Sequence, residues 1–180
     1  MSLKELTKEQ HTNAERQEFV KVLFKDIDAE LYATYLWNQF PMYELLEVMA
    51  ARHGLLNDMR IVERSKEIYA DFMELWPHKD QQPPQCAVVK EYLDHIMSIS
   101  NDPHKLMAHI YVRHMGDLSG GQIIAKKVPG EGRFYQFDGD REELKEKIRK
   151  KVDDSMADEA KLCFEFATRL FQEMMEFVDK

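Results

Sequence analysis

Three observations predict an all-α chain, a bundle of about seven to nine helices. Apolar residues recur at three- and four-residue intervals along nearly every long segment, the spacing of one helical face. Only 7 Gly and 6 Pro punctuate 180 residues that are 44% hydrophobic and 32% charged, which favours long regular elements with a buried side over disorder. No segment shows the strand–helix–strand rhythm of a parallel sheet. The length, with no repeat and no linker, assigns residues 1–180 to one domain with a single core.

Each element has its own signal. From Leu3 to about Ile27, the residues Leu3, Leu6, Phe19, Val20, Leu23, Phe24 and Ile27 form one amphipathic stripe. A nearly apolar segment follows, from about Ala29 to Arg52. It contains Pro41, which lacks a backbone donor and is expected to kink or break it, and Gly54 suits its end. Helical spacing resumes from about Val62 to Leu75 and stops at the loop "WPHKDQQPP". The next helix, about Gln85 to Ile99, ends at "SNDPHK". There Asp102 suits an N-cap and Pro103 the first turn of a helix reaching about Lys127. "VPGEGRFYQFDGD" reads as a loop with a short extended piece, and "REELKEKIRKKVDDS" as a charged, solvated helix. "ADEAKLCFEFATRLFQEMMEFVDK" closes the chain as a helix with Phe164, Leu170, Phe171, Met174, Met175 and Phe177 inward.

Composition removes several function classes. A net charge of −8 argues against a nucleic-acid partner. No apolar run approaches the roughly 20 residues that span a bilayer, and the polar, periodic start "MSLKELTKEQH" is not expected to act as a signal peptide. Cys86 and Cys163 lie far apart without metal-ligand spacing, so a reduced, cytoplasmic setting is expected.

The segment "HMGDLSGGQIIAKK" contains Leu118–Gln122, the "LSGGQ" pentapeptide of ATP-binding-cassette ATPases. Such enzymes also need a G-x-x-x-x-G-K-[ST] loop on a strand-to-helix turn, and the chain has none. Nucleotide binding is therefore rejected. Three of the 7 glycines, Gly116, Gly120 and Gly121, still fall within six residues. Glycine within a helix costs about 1 kcal/mol relative to alanine. Gly116 and Gly120, four apart, share a face without Cβ atoms. Tight helix packing, a helix end, or a flat ligand against the backbone would each account for the cluster.

Lys4, Lys8, His11 and Glu15 are spaced to share one face of the first helix. A histidine held by a carboxylate one turn on is a good metal ligand, and two lysines nearby suit a ligand's carboxylates. An ordinary exposed charged face fits the same residues. Together with the glycine strip, this group describes an iron-porphyrin pocket, with His11 as axial ligand. The other histidines, His53, His78, His95, His104, His109 and His114, lack such company and read as surface or structural.

Two blocks, "LKELTKEQHTNAERQEF" and "AHIYVRHMGDLSGGQIIAKK", resemble the first and distal helices of the haem oxygenases, and the closing "DEAKLCFEFATRLF" fits as well. The resemblance spans essentially the whole chain. It implies haem, as cofactor and substrate, between the first helix and a kinked distal helix. It further implies cleavage by dioxygen to biliverdin, carbon monoxide and ferrous iron.

By this resemblance His11 is the proximal iron ligand and Glu15 the carboxylate touching it. Gly116, Gly120 and Gly121 let the distal helix approach, and Asp117 organises distal water. Lys4, Lys8, Tyr111 and Lys161 lie near the propionates, and Arg113 belongs to the polar network. His114 stands where several relatives have tyrosine. A ferredoxin, or else a flavin reductase, is the electron donor implied. Lys126, Lys127, Arg133 and "KEKIRKK" are candidate docking charges, and a bilin reductase is a candidate downstream partner. A monomer without membrane or nucleic-acid partner is expected. The alternative is a haem carrier without catalysis. A third reading, the same scaffold with another ligand such as a di-iron centre, would need inward carboxylates and histidines clustered in the core.

Overall fold

The computed structural model describes residues 1–178, and every regular element among them is helical. The expected all-α bundle is therefore found. It comprises α1 (Leu3–Leu6), α2 (Lys8–Glu15), α3 (Glu18–Leu23), α4 (Ala29–Arg52), α5 (Ser65–Leu75), α6 (Ala87–Ser98), α7 (Pro103–Leu118), α8 (Gly121–Ile124), α9 (Arg141–Arg149) and α10 (Ala157–Met174). Eight of these described helices have six residues or more; α1 and α8 are single turns.

The first stripe breaks where polar residues offer the backbone other partners. Thr7 separates α1 from α2 and donates its hydroxyl to the Leu3 carbonyl (2.9 Å). Gln17 adopts extended backbone (ψ 145°) between α2 and α3. The stripe's apolar side is nonetheless continuous, for Leu3, Phe19, Leu23 and Ile27 are all buried.

Helix α4 runs unbroken through Pro41, contrary to expectation. An internal proline costs about 3 kcal/mol. That cost is outweighed here because α4 lies at the centre, packed against α5, α6 and α7 and burying Tyr32, Leu36, Met42, Leu46 and Ala50 completely or nearly so. Asp28 caps its start by accepting from the Glu30 and Leu31 amides.

The predicted cap of α7 is present: Asp102 accepts from the Lys105 amide (3.1 Å) and Pro103 opens the helix. Helix α7 stops at Leu118 rather than near Lys127, because Ser119 leaves helical geometry (φ −114°, ψ −93°) before α8 begins. The following loop carries a 3-10 turn at Arg133–Tyr135 in place of an extended piece.

That loop is tied to α5 from two sides. Buried Asp71 accepts from the Arg133 and Phe134 amides (3.1 and 2.8 Å). Arg64, also buried, donates to the carbonyls of Arg133, Phe134 and Gln136, and its guanidinium lies 3.9 Å from the Phe137 ring centre.

Helix α10 packs on α2, α3, α6 and α7 and so holds the two ends of the chain together. Leu170 and Met174 are buried, and Phe164, Phe171, Met175 and Phe177 are partly buried against the core. The closing segment ends in a 3-10 turn at Met175–Phe177, and the last two residues of the expected helix, 179–180, lie outside the described residues. Cys86 and Cys163 are both buried free thiols.

Candidate functional site

The proximal candidates sit on α2 and α10. The i, i+4 spacing brings His11 Nε2 within 2.6 Å of Glu15 Oε1, both side chains being exposed. A carboxylate only accepts, so it selects the tautomer with the proton on Nε2 and leaves the lone pair of Nδ1 free. The His11 ring stacks on Phe164 of α10, 5.2 Å between centres at 19°. Lys161, one turn before Phe164, is half-buried. Lys8 shares α2 with His11 and is exposed; Lys4, also exposed, belongs to α1 beyond the Thr7 break.

The distal candidates lie on α7 and α8. A Cβ built at Gly116 or Gly120 meets nothing within 4 Å, so both glycines leave a bare strip of backbone open for a flat ligand. Gly121 differs. Its Cβ would lie 2.7 Å from the Tyr135 ring, so it serves packing against the 133–135 turn and not the open strip. Gln122 bridges the break by donating to the carbonyls of Asp117 (3.1 Å) and Tyr135 (2.7 Å). It thereby satisfies a backbone acceptor that the end of α7 leaves unpaired.

Beside the glycine strip, Asp117 is buried and accepts from the Tyr43 hydroxyl at 2.9 and 3.0 Å. Burial pushes its carboxyl up to about 7, although His114, the Tyr43 hydrogen bond and Arg64 all pull downward. A carboxyl that titrates near neutrality can both give and take a proton.

Arg113 does not touch Asp117 directly. Its Nε donates to the Tyr92 hydroxyl (3.0 Å), and its guanidinium lies 4.3 Å from the Tyr92 ring centre and 5.4 Å from that of Tyr43. Tyr111 is half-buried; burial raises its hydroxyl pKa, partly offset by the charge of Arg149.

The expectation that the remaining histidines lack carboxylate company is corrected for five of them. His78 meets Glu30 (2.7 Å), His104 meets Asp153 (3.6 Å), and His114 meets Glu47 (2.7 Å). His95 and His109 share Glu159. Every one of these partners lies on another element, so helical periodicity carries no trace of it. Glu47 also accepts from the Arg64 and Ser65 amides and so caps α5 (2.6 and 3.0 Å); these bonds and His114 hold its carboxyl low against the opposing effect of burial.

Sequence reading also missed Tyr43 and Tyr92, which join the distal polar groups from α4 and α6. Of the candidate docking charges, Arg133 is engaged by Asp71 and Glu74 (3.2 and 2.8 Å). Lys145, Lys147 and Arg149 pair with glutamates of α9 itself, whereas Lys126 and Lys127 are exposed.

The family model described as "Heme oxygenase" matches residues 1–179. A heme oxygenase of Guillardia theta is 32% identical, the match covering 97% of this chain and 85% of that protein. Heme oxygenase 2 of Macaca fascicularis is 31% identical over 96% of this chain, which spans 64% of the macaque protein's length. Among solved structures, heme oxygenase-2 of Synechocystis in complex with heme and NO superposes with a TM-score of 0.85 at 26% identity. That match covers 97% of this chain and 84% of the other. A heme oxygenase from Leptospira interrogans gives 0.80 at 30% identity, covering 96% and 100%.

Proposed function

Because the chain belongs to the haem oxygenase family, we propose that it binds haem between α2 and the α7–α8 bend. There it cleaves the ring to biliverdin, carbon monoxide and ferrous iron, using dioxygen and electrons from a reduced partner. The observation that carries this reading is the bare strip at Gly116 and Gly120 with the buried, near-neutral carboxyl of Asp117 adjoining it. A tightly packed helix end would have no use for the open strip.

Bound haem supplies the iron that activates dioxygen and the ring that is cleaved. The chain's own residues do the rest. His11 offers one ring nitrogen to the iron while Glu15 fixes the other. Lys4, Lys8, Lys161 and Tyr111 are the candidates to hold the carboxylate edge. Gly116 and Gly120 admit backbone where side chains would collide with a planar ligand. Asp117 holds a proton close to the glycine strip, and the Tyr43 hydroxyl fixes its orientation. Arg113 and Tyr92 keep that wall polar and rigid. For the partner we propose a ferredoxin, an acidic surface meeting Lys126 and Lys127. A cytoplasmic location and release of biliverdin to a bilin reductase complete the proposal.

Reconstitution with hemin, followed by reductant in air, tests the reading. The Soret band should decay as biliverdin absorption appears. A Soret band that persists without bilin would leave haem carriage only. Asp117→Ala is expected to retain hemin but to lose biliverdin yield at least tenfold, with peroxidase-like turnover in its place. An unchanged yield would remove Asp117 from the chemistry.

A further inference from the structure

Away from His11, three helices converge on one point. His95 Nε2 of α6 and His109 Nε2 of α7 lie 2.5 and 2.8 Å from the same oxygen, Oε1 of Glu159 at the start of α10. The three ligand atoms all fall within 4.8 Å of one another. A second polar layer stands behind His109. Its Nδ1 is 2.7 Å from the Tyr92 hydroxyl, whose oxygen also accepts from Arg113 Nε (3.0 Å). Without an ion Glu159 can only accept, so the proton lies on Nε2 and the Tyr92 hydroxyl donates to Nδ1. An ion would displace the Nε2 proton, and the Tyr92 oxygen then has a lone pair free to accept an Nδ1 proton. Two imidazoles and one carboxylate form a borderline-soft donor set, which suits divalent first-row transition ions better than Ca²⁺ or Mg²⁺.

We propose that His95, His109 and Glu159 bind one divalent transition-metal ion of the Zn²⁺ or Fe²⁺ type. Metal–ligand bonds of about 2.0–2.2 Å in tetrahedral array separate donor atoms by roughly 3.3 Å. Oε1 of Glu159 therefore retreats by about 0.5–0.8 Å from its 2.8 and 2.5 Å contacts, and the two imidazole nitrogens, within 4.8 Å of each other, settle to the same spacing by small side-chain rotations. His109 is fully buried, while the side chains of His95 and Glu159 retain 20% and 14% exposure, enough for an ion to enter and for water to complete its shell. The bound ion joins α6, α7 and α10 into one unit, and its ligands are distinct from those offered to haem.

The test uses the full chain stripped of metal by chelator and titrated with Co²⁺. Calorimetry and visible d–d absorption follow binding, and Zn²⁺ serves as competitor. One equivalent should bind, and His95→Gln and Glu159→Gln should each weaken binding at least tenfold. Both positions are partly exposed, so both variants should melt within a few degrees of the metal-free wild type. His11→Ala should bind Co²⁺ as the wild type does, which separates this site from the proposed haem ligand. Absence of stoichiometric binding by the wild type, or unchanged affinity in both variants, overturns the proposal.

Discussion

Asp117 sits in an environment that opposes the charge its side chain ordinarily carries. A carboxyl of ordinary value 3.8 is pushed up to about 7 by burial, so the folded protein holds a proton there that the unfolded chain releases. Between about pH 4 and 7 the native state binds more protons, and this residue's contribution to stability falls as pH rises, then levels off. Its ceiling is about 4 kcal/mol, from the rise of the carboxyl from 3.8 to about 7 at about 1.36 kcal/mol per pH unit. Asp117→Asn can still accept from Tyr43 but carries no charge. It should flatten the decline between pH 5 and 8 and be the more stable form at pH 8, as read from urea unfolding at both values. A decline of equal steepness in the variant would assign it to other groups. The two ends of the site differ in how far sequence reveals them. His11 and Glu15 are legible because their contact is one helical turn long, whereas Tyr43 stands 74 residues from Asp117 and no local spacing points to it.

For a helix, glycines of equal appearance in the sequence have unequal work. Gly116→Ala meets no neighbour and should add up to about 1 kcal/mol of helix stability, yet hemin affinity should drop at least tenfold because a methyl group occupies the open strip. Gly121→Ala drives a methyl group to within 2.7 Å of Tyr135 and should cost about 1–3 kcal/mol by overpacking. Thermal melts set beside hemin titrations separate the two effects. The same helix shows the limits of periodicity. Asp102 and Pro103 marked its start to the residue, while its end at Ser119 was hidden because the apolar pattern continues into α8. Pro41 misled in the opposite direction, since α4 gains more from its surroundings than the proline removes.

Across the whole molecule, the fold class was legible because almost every segment repeats at helical spacing. The ties between segments were not. Arg64 and Asp71 fasten the 133–137 stretch from positions more than sixty residues away, through backbone carbonyls and amides that have no sequence signature. Arg64→Ala would leave several of those carbonyls unpaired and should cost about 3 kcal/mol, detectable as a lower denaturation midpoint at unchanged m-value. Tyr135 belongs to that stretch and packs on Gly121, so the same substitution should also lower hemin affinity.

The break at Ser119 bears on how this wall moves. Helix α8 is one turn long, Gly116, Ser119 and Gly120 are exposed, and the Ser119 amide bonds the Gly116 carbonyl at 3.2 Å instead of continuing the regular ladder. Such a segment opens to solvent without any need for the core to unfold. Its amides should therefore exchange deuterium far sooner than those of Leu106 to Ile110, which lie in the fully packed half of the same helix. A ligand that covers the strip should slow that exchange, so the bend reports its own occupancy.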